Sequence, residues 1–480
     1  MLSDIQARLG AMVRATWAAD VGVWGGRVKL YRDYMEGDHR AKMTPEMRAM
    51  LRISADADEQ FNDNYCDLVV NEMADRLVVT SIDADEDAGT DWMAGLLADN
   101  RFDALQMNVH RATIRDGDTF VMASYDEATG MVKWVHEPAY DGDSGMIPVY
   151  NRTRTELVAA VKIWWEADAT GTDVERVNVY YPDRVEKLVT VTREVDGKQV
   201  TSLEDVALGE GENRDLKDRE GRALGVPVFH HKNRAETHRD LGTSELKKMV
   251  PLQDALNRTL YSMVAAAENT GFAMLKAWGF EAPQNLSPGM VINIGKDGLT
   301  TDDVFGIERL PGGDIVPFVS QGQFLIEQIG ATTMTPLPGQ MGGDNASGEA
   351  IKQREVGLLG KVRGFQVAGG NVWEDIAAYS HKLETAFGLK QPPAVKRWNT
   401  QWKDAQIRND GEVVDNALKV KDAVSDETFL RLIGPVFGFD DAAIETIMEK
   451  RAAEMQAKMA ALGGRVAGFS QFAANGAGLS

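Results

Sequence analysis

The feature that most limits how this chain can fold is a stretch of helical spacing from residue 348 to 388, set directly behind the loop TTMTPLPGQMGGDNAS. A continuous helix of that length spans about 60 Å at about 1.5 Å per residue. That is longer than one small core, so the rest of the chain has to be arranged around a rod. Gly357, Gly360, Gly364, Gly369 and Gly370 each weaken a helix, which predicts one bend. In the loop, Pro336 and Pro338 fix φ and remove two backbone donors, while Gly339, Gly342 and Gly343 open conformations closed to other residues. The loop is expected to stay mobile.

The chain has 480 residues, 44% of them hydrophobic and 26% charged, enough to bury real cores in two to four domains. Residues 4–50 read as helices, the second closed by YRDYMEGDH with its Gly37 stop. A helix through Leu68, Val69, Met73 and Leu77 runs into a β-like segment from Leu77 to Ile82, and helical spacing returns through Leu96, Leu97, Phe102, Leu105, Met107 and Ile114. From 118 to 205 the period changes to runs of Val, Tyr, Trp and Thr separated by turn residues, the pattern of an antiparallel sheet. A helical region follows a Thr243 or Ser244 cap, and Pro251 is expected to kink or divide it. Residues 271–318 are rich in glycine and proline and read as a small β-rich lobe, followed by the short helix SQGQFLIEQIGATT. Helices before and after these strands make the class α+β. The chain ends in an amphipathic helix and the flexible-looking tail RVAGFSQFAANGAGLS.

A formal charge of −21 disfavours tight binding of nucleic acid, which usually needs a basic surface. The lone Cys66 excludes an internal disulfide and a cysteine-based zinc cluster and suits a reducing compartment. Asp4 and Arg8 interrupt the apolar positions of the first helix, unlike a signal peptide. Glu268 and Asn269 break the most apolar later stretch, so no membrane helix is expected.

Chemical motifs are sparse. Asp83, Asp85, Asp87 and Asp91 fall at four positions of a calcium loop, but Ala88 replaces the turn glycine and Ala94 the bidentate glutamate, which favours a solvated acidic turn and no metal. His230, His231 and His238 have no glutamate at catalytic spacing and read as ordinary surface at a strand end. GLLGK is too short for a phosphate loop, and Val362 stands where Ser or Thr must reach magnesium. Gly-x-Ser-x-Gly and His-Glu-x-x-His are absent from the sequence. Nothing here supports an enzyme or a bound cofactor.

The order of these parts resembles the portal proteins of tailed double-stranded DNA bacteriophages, the branch with a long N-terminal wing, over nearly the whole chain. The resemblance rests on YRDYMEGDH; on LADNRFDALQMNVHRATIRDGDTFVMASYDEATG with Asn100, Phe102, Gly117 and Phe120; on Pro227, Asn233, Gly242, Ser244, Gln253, Asp254 and Asn257; and on NASGEAIKQREVGLLGK. The glycine-rich TPLPGQMGGD departs from it, since the family loop is often shorter in glycine, and leaves the loop geometry open.

The resemblance implies a ring of about twelve subunits at one capsid vertex of the virion, assembled in the host bacterial cytoplasm, through which DNA is packaged and ejected. It implies docking of the terminase large subunit and then of head-tail adaptor proteins, with the major capsid protein and scaffold protein as further partners. Its parts would be a helical and β wing (1–241 and 348–409), stem helices (242–270 and 319–331), a β-rich clip (271–318), a tunnel loop (332–347), a helical crown (410–465) and a tail (466–480). Thr335, Pro336, Leu337, Pro338, Gln340 and Met341 would line the channel. Lys247, Lys248 and Arg258 on the first stem helix would face phosphate or, equally well, pair with Asp254 and Glu268 of a neighbour. Trp278, Phe280 and Phe305 would form a docking surface on the clip or pack one clip on the next. The alternative from another class is a capsid-associated scaffold or adaptor that never conducts DNA.

Overall fold

The computed structural model describes residues 1–50, 62–167, 170–195, 198–206, 215–237, 239–271, 275–278, 306–309, 314–337, 348–406, 414, 417–437, 439 and 443–454. Two compact units emerge, Met1–Ala405 and Gln406–Ser480.

The first unit is α+β. It opens with helices α1 (Leu2–Leu9), α2 (Trp17–Met35) and α3 (Pro45–Met50), followed by α4 (Tyr65–Ala74), strand β1 (Val79–Ala84), α5 (Asp87–Asp99) and α6 (Phe102–Asp116). The strand-rich region then forms two antiparallel sheets, not one. β2 (Asp118–Asp126) lies between β3 (Met131–Pro138) and β9 (Val228–Lys232). The other sheet is a five-stranded meander of β4 (Gly145–Tyr150), β5 (Leu157–Ala167), β6 (Asp173–Tyr180), β7 (Val185–Val195) and β8 (Lys198–Asp205).

Next come α7 (Val250–Gly271), the paired strands β10 (Leu275–Trp278) and β11 (Gly306–Arg309), α8 (Val316–Thr333), α9 (Gly348–Phe387) and β12 (Trp398–Trp402). Pro251 occupies the first turn of α7, where its missing N–H costs nothing. It therefore separates α7 from the 3-10 turn Glu245–Lys248, capped by Ser244, and kinks neither.

Three apolar clusters hold the unit. The first packs Ile5, Trp24 and Val28 of α1 and α2 on Ile147, Val161, Ile163, Val177 and Val179 of the five-stranded sheet. The other two are strung along α9, which runs through 40 residues. Leu358, Val362 and Phe365 join Cys66, Met73, Leu256 and Ile329. Trp373, Ile376 and Leu383 join Ile82, Met93, Phe102, Val121 and Trp134. Spacings of three and four residues keep one face of the helix inward through both clusters.

Two glycines of α9 serve the packing. A Cβ on Gly370 would stand 3.2 Å from Trp402 Nε1, and Thr400 Oγ1 donates to the Gly370 carbonyl at 3.1 Å. The small residues let β12 lie on the helix while it pairs antiparallel with β1, more than 300 residues earlier in sequence. Met107 departs from the expected inward spacing and is 64% exposed.

The second unit contains α10 (Asp426–Phe437) and helical residues 443–454. Arg451 reaches Asp426 at 3.2 Å and Gly434 packs on Ile444. Among the described residues no helix is long and apolar enough to cross a membrane.

The tightest backbone approach is at Gly242, where an added Cβ would meet Gly117 O at 2.1 Å and Asn233 O at 2.7 Å. Gly242→Ala is expected to destabilise the chain by about 1–3 kcal/mol. Gly360→Ala, in open space on α9, is expected to be neutral or to gain up to about 1 kcal/mol from helix propensity. Denaturant unfolding of both variants checks the contrast.

Candidate functional site: the polar junction around Glu245

The junction starts at the end of α6. Gly117 takes φ 91° and stops the helix, which turns Asp116 and Asp118 inward side by side. Both are buried, so both need partners. Asp116 accepts from Arg32 of α2 at 3.0 Å and from Arg115. Arg32 continues to Asp141 at 2.7 Å and to the Ala139 carbonyl. Asp118 accepts from Trp24 Nε1 at 3.2 Å, His230 Nε2 at 2.8 Å and the Gly242 N–H at 2.6 Å. With Nε2 donating, His230 Nδ1 is left to accept from Tyr150 OH at 3.0 Å. Burial outweighs the Asp118 carboxylate and lowers the His230 pKa, which favours the neutral imidazole.

One residue along β9, His231 points to the opposite face, against Trp373 of α9 with ring centroids 4.7 Å apart. Neither of its nitrogens has a hydrogen-bond partner. Burial, reinforced by His110, His230 and His136 nearby, lowers its pKa well below the ordinary value. His110 donates from Nδ1 to the Leu77 carbonyl at 2.9 Å and accepts from Trp373 Nε1 at 3.1 Å. Burial holds it at about 4, and His136 likewise at about 4. The expected surface histidines 230 and 231 are thus interior. They belong to a strand that pairs with β2 and is covered by α9. His238 lies outside the described residues.

From the end of β9 the chain folds back, with Thr243 N donating to Asn233 O at 2.9 Å, and places Glu245 in the centre of the junction. The Glu245 side chain is 1% exposed. It receives Arg234 through Nε at 2.6 Å and Nη2 at 2.8 Å, Lys361 Nζ of α9 at 2.8 Å, and Asn233 Nδ2 at 3.1 Å. Burial pushes its carboxyl up, but Arg234 and Lys361 outweigh that and hold it below the usual value. Burial lowers the Lys361 ammonium from its ordinary range. Lys361 Nζ also donates to the Thr333 carbonyl at 2.5 Å, the last residue of α8. One carboxylate thereby joins the central sheet, the turn before α7, the end of α8 and the long helix.

The far side of α7 is fastened to the N-terminal helices by side chains one turn apart. Tyr34 OH donates to Asp254 at 2.6 Å, His39 meets Asn257 at 2.6 Å, and Gln253 donates to the Asp63 carbonyl at 2.7 Å. Asn100 bridges α5 to β3, accepting from Trp134 N at 2.7 Å and donating to Val132 O at 3.0 Å. Asn100, Gly117, Asn233, Gly242, Ser244, Gln253, Asp254 and Asn257, which carry the family resemblance, therefore act as fasteners between distant segments.

The expected site residues fare differently. Lys247 and Lys248 are exposed but sit in the 3-10 turn ahead of α7, because Pro251 begins the helix. Arg258 is exposed on α7 itself. The expected partner Asp254 is engaged by Tyr34 within the same chain.

Thr335 and Leu337 are each only 2% exposed in the single chain. Met334, at φ 53°, ends α8 in a left-handed turn. The chain after it folds back, Thr335 N bonds to Gly330 O at 3.0 Å, and Leu337 enters the cluster of Leu325, Ile329, Leu358 and Val362. Pro336 is half-buried. Pro338, Gln340, Met341, Phe280 and Phe305 lie outside the described residues. Trp278 ends β10 opposite Gly306 of β11. The acidic segment is no calcium loop, since Asp87 and Asp91 belong to α5 and Asp85 accepts from the Lys396 N–H. Among the described residues no group of three metal-ligating side chains occurs.

Sequence reasoning missed Glu245, Lys361, Asp116, Asp118 and Arg32. The available signal was Lys361 in the inward spacing of Leu358, Val362 and Phe365, a charge where a core residue belongs.

The sequence model of the family described as Phage portal protein, SPP1 Gp6-like, matches residues 26–457. The chain belongs to this portal family. The portal proteins of Mycobacterium phage D29 and Mycobacterium phage L5 are each 27% identical to it over 208 residues, 41% of this chain and 42% of the relative. The matched stretch is thus under half the length of these curated relatives. Among solved structures, a chain of the neck of the native gene transfer agent particle, computed with C12 symmetry, superposes with a TM-score of 0.41 at 12% identity. It covers 77% of this chain and 88% of that one. A chain of the neck of the empty particle, computed with C6 symmetry, gives 0.43 at 11%, covering 82% and 94%.

The buried histidines of this portal-family fold set an acid limit on its stability. Their folded pKa values lie below the unfolded value of about 6.5. Their neutral forms therefore support the fold fully above about pH 6.5, and the support is lost as pH falls from there through about 4. Melting temperature measured from pH 7 to 4 is expected to fall progressively, and His231→Leu, which removes the unpartnered imidazole, is expected to make the fall shallower. A pH slope unchanged in that variant would contradict the assignment.

Proposed function

We propose that the chain forms a closed ring of about twelve copies at one capsid vertex, and that double-stranded DNA is packaged and later ejected through its centre. The single observation that carries this reading is the family match over residues 26–457. In this reading residues 1–241 and 348–409 are the wing, 242–270 and 319–331 the stem, 271–318 the clip, 332–347 the tunnel loop and 410–465 the crown, followed by the tail. The clip is the platform for the terminase large subunit during packaging and for head-tail adaptors afterwards, with capsid and scaffold protein around the wing.

The geometry supports a mechanical part. A loop that has to move beside passing DNA needs fixed ends, and the described end has one. The α8 terminus is bonded through Thr333 to Lys361 and so to Glu245. Pro338, Gln340 and Met341 remain the proposed channel residues of the loop, and Thr335 and Leu337 its proposed anchor. Lys248 and Arg258, both exposed, remain proposed to face phosphate. A net charge of −21 suits a channel along which a polyanion slides without sticking. The energy for packaging is assigned to the terminase partner, because this chain has no complete phosphate loop in its sequence.

Purified full-length protein is expected to assemble without nucleotide into closed rings with a central hole, seen by electron microscopy and counted by native mass spectrometry, and to show no ATP turnover of its own. Monomers or dimers at every concentration tested would contradict the ring. ATP hydrolysis that follows this chain through purification would contradict the separate motor.

A further inference from the structure

A cavity of about 390 Å³ opens beside α2 and the turn of residues 116–118, lined by Arg14, Arg27, Arg154, Arg239 and Lys247. Three carboxylates share its wall, Asp116, Asp118 and Asp240, so five cations against three acids leave the cleft at +2 in a chain of net charge −21. The three acids are already engaged. Asp116 is held by Arg32 and Arg115, Asp118 by Trp24, His230 and Gly242, and Asp240 by Arg14 at 3.3 Å and Arg154 at 3.1 Å. Arg239 pairs with Glu236 at 3.3 Å. Arg27 and Lys247 differ. Both are exposed, and among the described residues neither has a carboxylate within ion-pair distance; Arg27 Nε reaches only the Val23 carbonyl, at 3.4 Å.

The opposite imbalance occurs on another surface of the same unit. α5 begins with Asp87 and Asp91, four residues apart and so on one face of the helix, preceded by Glu86. All three are exposed, and among the described residues none has a cation partner. The cleft opens beside α2, whereas α5 packs on β1 and α6 in the cluster around Trp373.

We propose that these surfaces meet between copies, the Glu86–Asp91 turn of one chain entering the Arg27–Lys247 cleft of the next. The contact joins two different patches, so it is heterologous, the kind that propagates head to tail and closes into a ring when the rotation allows. Two exposed carboxylates on one helix face complement in charge two exposed cations that share one cleft. Duplex DNA fits the cleft less well. A phosphate chain needs a continuous basic track, and here three acids interrupt the basic lining. Lys247 is thereby reassigned from a DNA-facing role to a contact between subunits. The inference rests on the ring reading for its setting but is tested separately from it.

The test uses full-length protein and three variants: Arg27→Glu with Lys247→Glu, Asp87→Lys with Asp91→Lys, and all four together. Circular dichroism checks that each is folded, and sedimentation at low and high salt follows assembly. Each double reversal is expected to raise the concentration for half-assembly at least tenfold, and the quadruple variant to return within about threefold of wild type. Wild-type assembly is expected to weaken with salt.

Wild type that forms rings while either reversal assembles equally well would overturn the cleft contact and leave the ring reading standing. So would folded quadruple protein that fails to recover. Open chains or dimers of wild type that the reversals abolish would support the contact and count against the closed ring. Wild type that stays monomeric throughout would overturn both. Normal assembly of the cleft variant together with loss of binding to a short DNA duplex would show a nucleic-acid site in place of the contact.

Discussion

The fold turns on a single buried carboxylate. Glu245 cannot be removed from water without compensation, since an ionised carboxylate in an apolar interior carries a penalty of several kcal/mol. Two cations and an amide provide that compensation, and they come from segments that chain connectivity does not hold together: Arg234 and Asn233 from beyond β9, and Lys361 from the middle of α9. Lys361 carries the same constraint in reverse and satisfies it with Glu245 and the last carbonyl of α8. The geometry admits little slack, because displacing any one segment strands a buried charge. Buried pairs of this kind are poor sources of net stability but strong selectors of one arrangement.

The same device recurs outward from the centre. Asp116 and Asp118 tie α2, β9 and the segment before α7 to the end of α6, while Tyr34 with Asp254 and His39 with Asn257 tie α7 to the N-terminal helices. Apolar packing supplies the bulk of the driving force, and α9 divides it between two cores. The polar fasteners tie α7 to the N-terminal helices and the end of α8 to α9. The left-handed turn at Met334 ends α8, and Leu337 beyond it is buried in the core.

What could be read from the sequence was whatever has a local period. The helices, the long α9, the Gly37 stop and the strand-rich region followed from spacing and turn residues. So did the β-like segment at Leu77–Ile82, observed as Val79–Ala84. Features decided by distant partners stayed hidden. His230 and His231 read as surface because burial by α9 involves residues more than 130 positions away. Lys361 closes a truncated phosphate motif in the sequence, and its depth shows only in the inward spacing of its apolar neighbours Leu358 and Val362. Leu337 was assigned to the loop by its proline neighbours, whereas the end of α8 folds it into a core. Gly369 and Gly370 read as weak points of a helix, although Trp402 and Thr400 need that space. The division of the strands into two sheets depended on β9 returning to β2, which no local pattern announces.

The most direct measurement of the central claim is a double-mutant cycle at the hub, comparing denaturant unfolding of full-length wild type, Glu245→Gln, Lys361→Met and the double variant. If the carboxylate and the lysine hold each other in place, each single change costs about 3–5 kcal/mol and the double variant costs less than their sum by about 1–3 kcal/mol. Strict additivity, or single variants as stable as wild type, would show that α9 and the end of α8 are held by apolar packing alone.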